Sequence, residues 1–393
     1  MSRADSSPSV AGATGWTDRM LELEVGAVAH GGHCVARHEG RVVFVRHAVP
    51  GERVRAVVTE DGGGSYCRAD AVAVLEASPD RVDAPCPVAR PGGCGGCDFQ
   101  HVDVGVQRRL KAEVVAEQLR RLAGLERTVT VEELPGGPLG WRSRVRLAVD
   151  ADGQAGLRAH RSHDVIPIAD CPLAPEGLLP PVLARPHRPG GEVDVVAGAE
   201  AAGGVTRQAA GRSWRLSPGV FWQVHPAMAD TLVGIVAQWA AVPAYGRAWD
   251  LYGGVGLLAA VLAEQAGRSG SVTVVESDRR AVADGRRALA DLPQIGWRTG
   301  RMEQVLPKLP GRPEVVVADP PRRGLGRAVV DAIAARGPAC MIYVACDPAS
   351  LARDVALFAG HGYQLTQLRA LDAFPMTHHV ECVALLEPAP PRH

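Results

Sequence analysis

Ala248-Trp249-Asp250-Leu251-Tyr252-Gly253-Gly254-Val255-Gly256 is an apolar run that ends in an acid-led, glycine-rich turn, the pattern of a strand passing into a helix. Outward from it, strands are predicted over residues 247–252, 271–276, 314–319 and 341–346. Helical runs alternate with them over 255–266, 279–292, 327–336 and 349–359, and strands 363–373 and 379–387 close the chain. This alternation specifies an α/β fold, an open and mostly parallel doubly wound sheet of Rossmann-like type. Glu276 ends the second strand, where a carboxylate accepts hydrogen bonds from ribose hydroxyls. Asp319-Pro320-Pro321-Arg322 ends the third, and Cys346-Asp347-Pro348 the fourth. These features all fall at the carboxyl ends of strands, the edge where such sheets bind ligands.

The ligand is not predicted to be a dinucleotide. The loop lacks the Gly-x-Gly-x-x-Gly spacing that cradles a pyrophosphate. An acidic lining suits the amino group and sulfonium of S-adenosylmethionine, which carries no phosphate. Taken alone, a cysteine such as Cys346 is more often an inert buried thiol. Its position at a strand end, directly before a helix, predicts a thiolate stabilised by the helix N-terminus.

Phe221-Trp222-Gln223-Val224, Asp250–Gly256, Asp319–Gly324, YVACDPASLARD from Tyr343 and FPMTHHVECVALL from Phe374 together resemble the RNA 5-methyluridine methyltransferase family, which acts on transfer RNA or 23S ribosomal RNA. The resemblance implies a C-terminal class I methyltransferase domain that uses S-adenosylmethionine. It implies Cys346 as covalent nucleophile at carbon 6 of a uracil and Glu381 as the base that removes the carbon-5 proton. Apolar neighbours Val380 and Val383 would raise the Glu381 pKa. It also assigns Gln223, Tyr252, Glu276 and Asp319 to the cofactor. The target uridine must leave its stack to present both carbons. At Gly253, where many members carry cysteine, this chain departs from the family. His378 and His379 are expected to alternate across a strand, so that they cannot share a metal; they are taken as structural or RNA-facing.

The 393 residues carry 43 basic and 43 acidic side chains, so no global field announces a nucleic-acid partner. Nearly all the positive charge is arginine, which suits phosphate forks but follows equally from a GC-rich genome. Short Val/Ala-rich strands over 21–77, broken by Gly-Gly and Pro-Gly turns, predict a small OB-like β-barrel bearing Arg37, Arg41, Arg46, Arg53, Arg55 and Arg68. It is similar to the TRAM barrel that precedes the catalytic domain in many family members. A helix is predicted over 107–122, and strands return over 141–168, where Arg142, Arg144 and Arg146 share one face. Residues 180–191 and 198–204 are expected to be loops. The domain reading is a disordered tail (1–17), a TRAM-like barrel (18–78), a central α+β domain (79–205) and the methyltransferase domain (206–393).

Cys86, Cys94, Cys97 and Cys171 form a thiolate set compatible with a [4Fe–4S] cluster or with zinc. Family resemblance implies the [4Fe–4S] cluster, although the gap from Cys86 to Cys94 is two residues longer than the family run. With no signal peptide or membrane span read in the sequence, a cytoplasmic protein acting on RNA is expected, and no protein partner is inferred. Three competing readings are an RNA cytosine-5 methyltransferase, an RNA-binding or chaperone-like protein with secondary methyl transfer, and an NAD-type oxidoreductase with an iron–sulfur cluster. Each fits less well. Cys346 is followed by Asp347-Pro348 rather than forming Pro-Cys, both Cys346 and Glu381 are present, and the loop is not of dinucleotide type.

Overall fold

The computed structural model describes residues 15–201 and 203–390. These fall into two compact units that divide at Asp83 and Ala84. Most of the expected tail of residues 1–17 lies outside the described residues, but Trp16 does not. It is buried in the first unit's core, and its backbone N–H donates to Asp61 Oδ2 at 2.6 Å.

That first unit is a five-stranded sheet of β1 (Met20–Glu24), β2 (Cys34–His38), β3 (Arg41–Arg46), β4 (Arg53–Glu60) and β5 (Tyr66–Glu76), ordered β1-β4-β5-β3-β2. Alternate residues point inward, so Leu21, Leu23, Val43, Val45, Val54, Ala56 and Val58 fill one core. Contact between β1 and β2 curls the sheet toward closure. Several barrel arginines turn out to be paired within the unit. Arg41 forks onto Asp61, Arg53 holds Glu76, Arg55 holds Glu22 and Arg68 holds Glu60.

The second unit begins with α1 (Val104–Gln118), which runs on into a π-helical turn, Leu119–Ala123, and then β6 (Val131–Glu133). A small sheet follows from β7 (Arg144–Val149), β8 (Ala155–Arg158), β9 (Val165–Pro167) and, after α2 (Pro180–Leu183), β10 (Glu192–Val196), ordered β10-β7-β8-β9. A hairpin of β11 (Val205–Ala209) and β12 (Arg212–Leu216) leads to α3 (Met228–Ala240). The doubly wound part then alternates β13 (Arg247–Leu251), α4 (Leu257–Ala266), β14 (Ser271–Glu276), α5 (Arg279–Ala288), β15 (Ile295–Thr299), α6 (Met302–Val305), β16 (Val315–Ala318), α7 (Arg327–Ala334), β17 (Cys340–Ala345) and α8 (Pro348–Gly360). The strands β18 (Tyr363–Asp372) and β19 (Glu381–Pro388) complete it.

The large sheet has eight strands, ordered β15-β14-β13-β16-β17-β19-β18-β6. The chain moves outward from β13 to β15 and then restarts on the other side with β16, so a crevice opens where β13 and β16 part. Both faces are covered, which explains why β16 and β17 are buried along their whole length. Ala248, Val317 and Ile342 pack with α3 and α4 on one face, while Trp249, Val316 and Tyr343 pack with α7 and α8 on the other.

Two elements alter the expected domain division. β6 pairs in parallel with β18, Val131 lying opposite Ala370, and Val115 and Leu119 of the first helix join the same apolar layer. Residues 79–205 therefore do not close on themselves; from Ala84 onward the chain is one unit. Pairing by β6 also covers backbone groups that would otherwise form an exposed sheet edge. Inside this joint, the Lys111 ammonium is buried, 2.6 Å from Asp372 Oδ1, and donates to the Phe374 carbonyl at 3.0 Å. Among the described residues no helix is long and apolar enough to cross a membrane.

Removing one member of a buried ion pair strands the other, at a cost of about 3–5 kcal/mol. Lys111→Met should lower the denaturant midpoint accordingly, whereas adding Asp372→Leu should restore much of the loss. Equal midpoints for the wild type and the single variant would contradict this account of the joint.

Candidate active site

At the crevice the β13 loop encloses a cavity lined by Trp222, Gln223, Asp250, Tyr252, Gly254 and Asp319, with Phe221 at its mouth and 60% exposed. Tyr252 (φ 60°) and Gly254 (φ 54°) are both left-handed, which bends the chain around the cavity. A Cβ on Gly253 would lie 2.7 Å from both Asp250 Oδ2 and Val274 Cγ1, so the family's cysteine could not be accommodated here without displacement.

Asp250 is buried, and its Oδ2 accepts the Ala259 N–H at 2.9 Å near the start of α4. Its other oxygen, Oδ1, is buried with no hydrogen-bond partner. Burial pushes this carboxyl up to about 8, and Asp319 and Glu276 add repulsion. Sequence reasoning noted the acid that leads the loop without assigning it a role; this orphaned oxygen marks it as a ligand acceptor. Glu276 stands beside the loop, accepting N–H groups from Gly254 (3.0 Å), Ser277 (2.5 Å) and Asp278 (2.7 Å).

Asp319 joins this cavity to the second half of the site. Gln223 Nε2 donates to it at 3.4 Å, and burial raises its carboxyl to about 7. β19 runs antiparallel to β17 with Ala345 opposite Cys382, so the next step of the register sets Cys346 beside Glu381. Glu381 is buried and protonates far more readily than a free carboxylate, through burial and then Asp319, with Arg322 opposing. The expected raising of Glu381 is thus present, with the negative Asp319 as a second cause.

Cys346 corrects an expectation. Its half-buried thiol is raised to about 11, first by burial and then by Glu381 and Asp319. The helix that follows is capped by the Asp347 carboxylate, its Oδ1 accepting the Ser350 N–H at 2.7 Å. Arg322 is the cation that acts against the rise.

The histidines correct another. His378 and His379 lie in the turn before β19, not on a strand, with ring centroids 4.0 Å apart. His378 Nδ1 meets Asp98 Oδ2 at 2.6 Å, and His379 Nε2 meets Arg322 at 3.1 Å. The positioning residues Tyr343 and Asp354 went unassigned in the sequence. Asp354 accepts the Tyr343 hydroxyl at 2.8 Å and the N–H groups of Leu325 (2.7 Å) and Gly326 (3.1 Å), which ties the Asp319–Gly324 turn to α8. Gly324 (φ 79°) is required there, since a Cβ would lie 2.5 Å from Asp354 Oδ2.

Cys86, Cys94, Cys97 and Cys171 are all buried and line a single separate cavity with Gln100 and Arg142. Gly96 N–H points at Cys94 Sγ (3.3 Å) and Gln100 Nε2 at Cys97 Sγ (3.1 Å). Burial raises Cys94 and Cys171, and pushes Cys97 up to about 12. Among the described residues, however, no group of three or more His, Cys, Asp or Glu is arranged to hold a metal ion. Of the three arginines expected on one face, Arg144 and Arg146 both bind Asp194, while Arg142 lines the cysteine cavity and, with Arg146, a neighbouring one. Immediately after Cys97, the Asp98 and Phe99 N–H groups donate to the Met376 carbonyl at 3.1 and 3.0 Å, so the cysteine segment braces the turn that leads into Glu381.

Comparison with known proteins agrees with this geometry. The family model described as tRNA (Uracil-5-)-methyltransferase matches residues 312–389, and that of the TRAM domain matches residues 19–72. An uncharacterized RNA methyltransferase of Streptomyces avermitilis is 48% identical over 94% of this chain and 98% of its own length. Another from Corynebacterium diphtheriae is 35% identical over 93% of this chain and 96% of its own. The Pyrococcus abyssi tRNA (uracil-54, C5)-methyltransferase, solved with S-adenosyl-L-homocysteine, shares the fold at a TM-score of 0.67 and 21% identity, covering 93% of this chain and all of that one. The chain belongs to the RNA methyltransferase family of these relatives, and its C-terminal segment matches the model of the tRNA (Uracil-5-)-methyltransferases.

Proposed function

We propose that the protein methylates carbon 5 of a uridine in transfer RNA or 23S ribosomal RNA, with Cys346 as covalent nucleophile and Glu381 as base. The observation that carries this reading is the meeting of Cys346, Glu381 and Asp319 at one end of the sheet, next to a cavity with an unsatisfied acceptor. Carbon 5 of uracil is too weak a nucleophile to be methylated directly. Addition of the Cys346 sulfur at carbon 6 turns carbon 5 into an enolate-like carbon. S-adenosylmethionine, when bound, supplies an electrophilic methyl group on a sulfonium. Glu381 then takes the carbon-5 proton, and the Cys346 sulfur leaves carbon 6. After burial, the negative charges of Glu381 and Asp319 are what hold the thiol proton on Cys346; that proton passes to solvent before the sulfur adds, which leaves Glu381 ionised to take the carbon-5 proton.

The residues fit the methyl donor. Asp250 Oδ1 offers a buried acceptor to an amino group, whose positive charge would ionise the carboxyl, and Gln223, Tyr252 and Asp319 line the same cavity. Glu276 is assigned to the ribose hydroxyls, beside the loop it already holds. The four thiols around one cavity, with N–H donors aimed at two of them, support a [4Fe–4S] cluster held by Cys86, Cys94, Cys97 and Cys171. Bound there, the cluster would cross-link the segment that braces the Glu381 turn.

Cys346→Ala should abolish methylation of unmodified RNA while retaining S-adenosylhomocysteine binding; a variant that still methylates would end the mechanism. Glu381→Gln should trap the covalent protein–RNA adduct, seen as a retarded band on a denaturing gel. Asp250 predicts a pH effect on stability. Its carboxyl is near 3.9 in the unfolded chain and about 8 in the fold, so its stabilising contribution is complete below about pH 4. That contribution falls by up to about 1.4 kcal/mol per pH unit until the folded group has ionised. Thermal melts should therefore decline from pH 5 to 8, and Asp250→Asn should flatten the slope. Protein purified anaerobically should contain iron and acid-labile sulfide in equal amounts; zinc in their place would refute the cluster.

A further inference from the structure

A third cavity, of about 300 Å³, is also lined by Cys94 and takes no part in the chemistry above. Its walls carry Arg142, Arg146, Arg158 and Arg161 against a single carboxylate, Glu192. In a chain of 43 basic and 43 acidic residues, four guanidiniums facing one acid is a local concentration of charge.

The arginines are held in place from below and remain accessible from above. Glu192 meets Arg158 at 3.3 Å and Arg146 at 3.8 Å, and Asp194 meets Arg146 at 3.0 Å. Arg158 also contacts His163 Nδ1 at 3.1 Å. Even so, the Arg146 and Arg158 side chains stay 59% and 43% exposed. One wall is the Gly95–Gly96 backbone, and it sits close because a Cβ on Gly95 would lie 2.5 Å from His160 Cα. Guanidinium groups fork onto phosphate oxygens and stack on bases. The cavity is larger than one phosphate requires and reaches the lower end of the range for small-ligand pockets.

We propose that this cavity is a second RNA-binding site, which takes the sugar–phosphate of one single-stranded nucleotide of the substrate outside the reaction centre. This rests on the chain's being an RNA methyltransferase, and it assigns to the cavity what the zero net charge cannot supply, a fixed electrostatic anchor for the substrate. Because the cavity and the reaction centre belong to one compact unit, an RNA held here is held at a set distance from Cys346.

The test is equilibrium binding of unmodified transfer RNA and of a 23S ribosomal RNA fragment to the anaerobically purified full-length protein, over a range of salt concentrations. For the Arg158→Ala/Arg161→Ala double variant, the Kd for the bound RNA should rise by on the order of tenfold or more. Its plot of log affinity against log salt should be shallower by about 0.7 for each phosphate no longer neutralised. Lysine at both positions should restore the salt slope, since the charge is retained. Arg268→Ala removes an exposed charge just before β14, at the opposite edge of the sheet, and should bind as the wild type does. Melting temperatures of all variants report folding. Wild-type affinity and salt slope in the double alanine variant would overturn the proposal. So would a loss confined to inorganic phosphate or free uridine monophosphate, which would make this a small-anion pocket. Failure of the wild type to methylate bound RNA would instead overturn the functional reading and leave this test intact.

Discussion

The antiparallel insertion of β19 between β17 and β18 is the constraint on which the site depends. Without it, Cys346 would end a parallel strand with Asp319 near it but without Glu381. The insertion makes the register one of opposites, so that a residue from the end of the chain faces the residue at the mouth of the crevice. Glu381 therefore acquires its neighbours, Cys346 and Asp319, from strands that precede it by some distance in sequence. The protein places three carboxyls, Asp250, Asp319 and Glu381, along one sheet edge, where burial first, and for Asp250 and Glu381 the charge of Asp319 as well, keeps them readier to hold protons than free acids.

Such a cluster costs stability, and the surrounding structure offsets that cost. Both sheet faces carry continuous apolar layers, and the Glu381 turn is tied down from outside the sheet. Gln107 donates to the carbonyls of Phe99 and Val102 and accepts the Met376 N–H, while Lys111 holds Asp372 and the Phe374 carbonyl. One face of α1 thus fastens the cysteine segment to the turn that delivers Glu381. Geometry at Glu381 is maintained by residues that do not line the crevice cavity.

The doubly wound core was legible because parallel strands buried on both faces read as unbroken apolar runs, as Val315–Ala318 does. The acid-led loop at Asp250, the strand-end acids and Cys346 followed from that alternation. Other features had no local signal. Val131–Glu133 is three residues long and finds its partner at Ala370–Asp372, so nothing near it in sequence marks it as part of the sheet. Gln107 and Lys111 read as polar positions on a helix, although both are buried against groups more than 260 residues away. The Cys346 thiol is raised where the strand-before-helix pattern predicted a stabilised thiolate, because its burial and its neighbours Glu381 and Asp319 have no local signal in sequence.

Orphaned polar atoms separate what the fold needs from what the ligand needs. Buried polar groups in folded proteins nearly always have partners, and each exception calls for an explanation. Asp372 Oδ2 is one such atom, but its sister oxygen is occupied by Lys111 and the pair lies within the joint between α1 and β18. Asp250 Oδ1 is different. Its sister oxygen already serves the start of α4, it lines an open cavity, and it is held so near neutrality that an approaching cation would ionise it. An acid used only to cap a helix would be as well served by serine or asparagine, which carry no charge to bury. The second oxygen, unpaired in a residue that lines the crevice, is an acceptor that helix capping alone does not require.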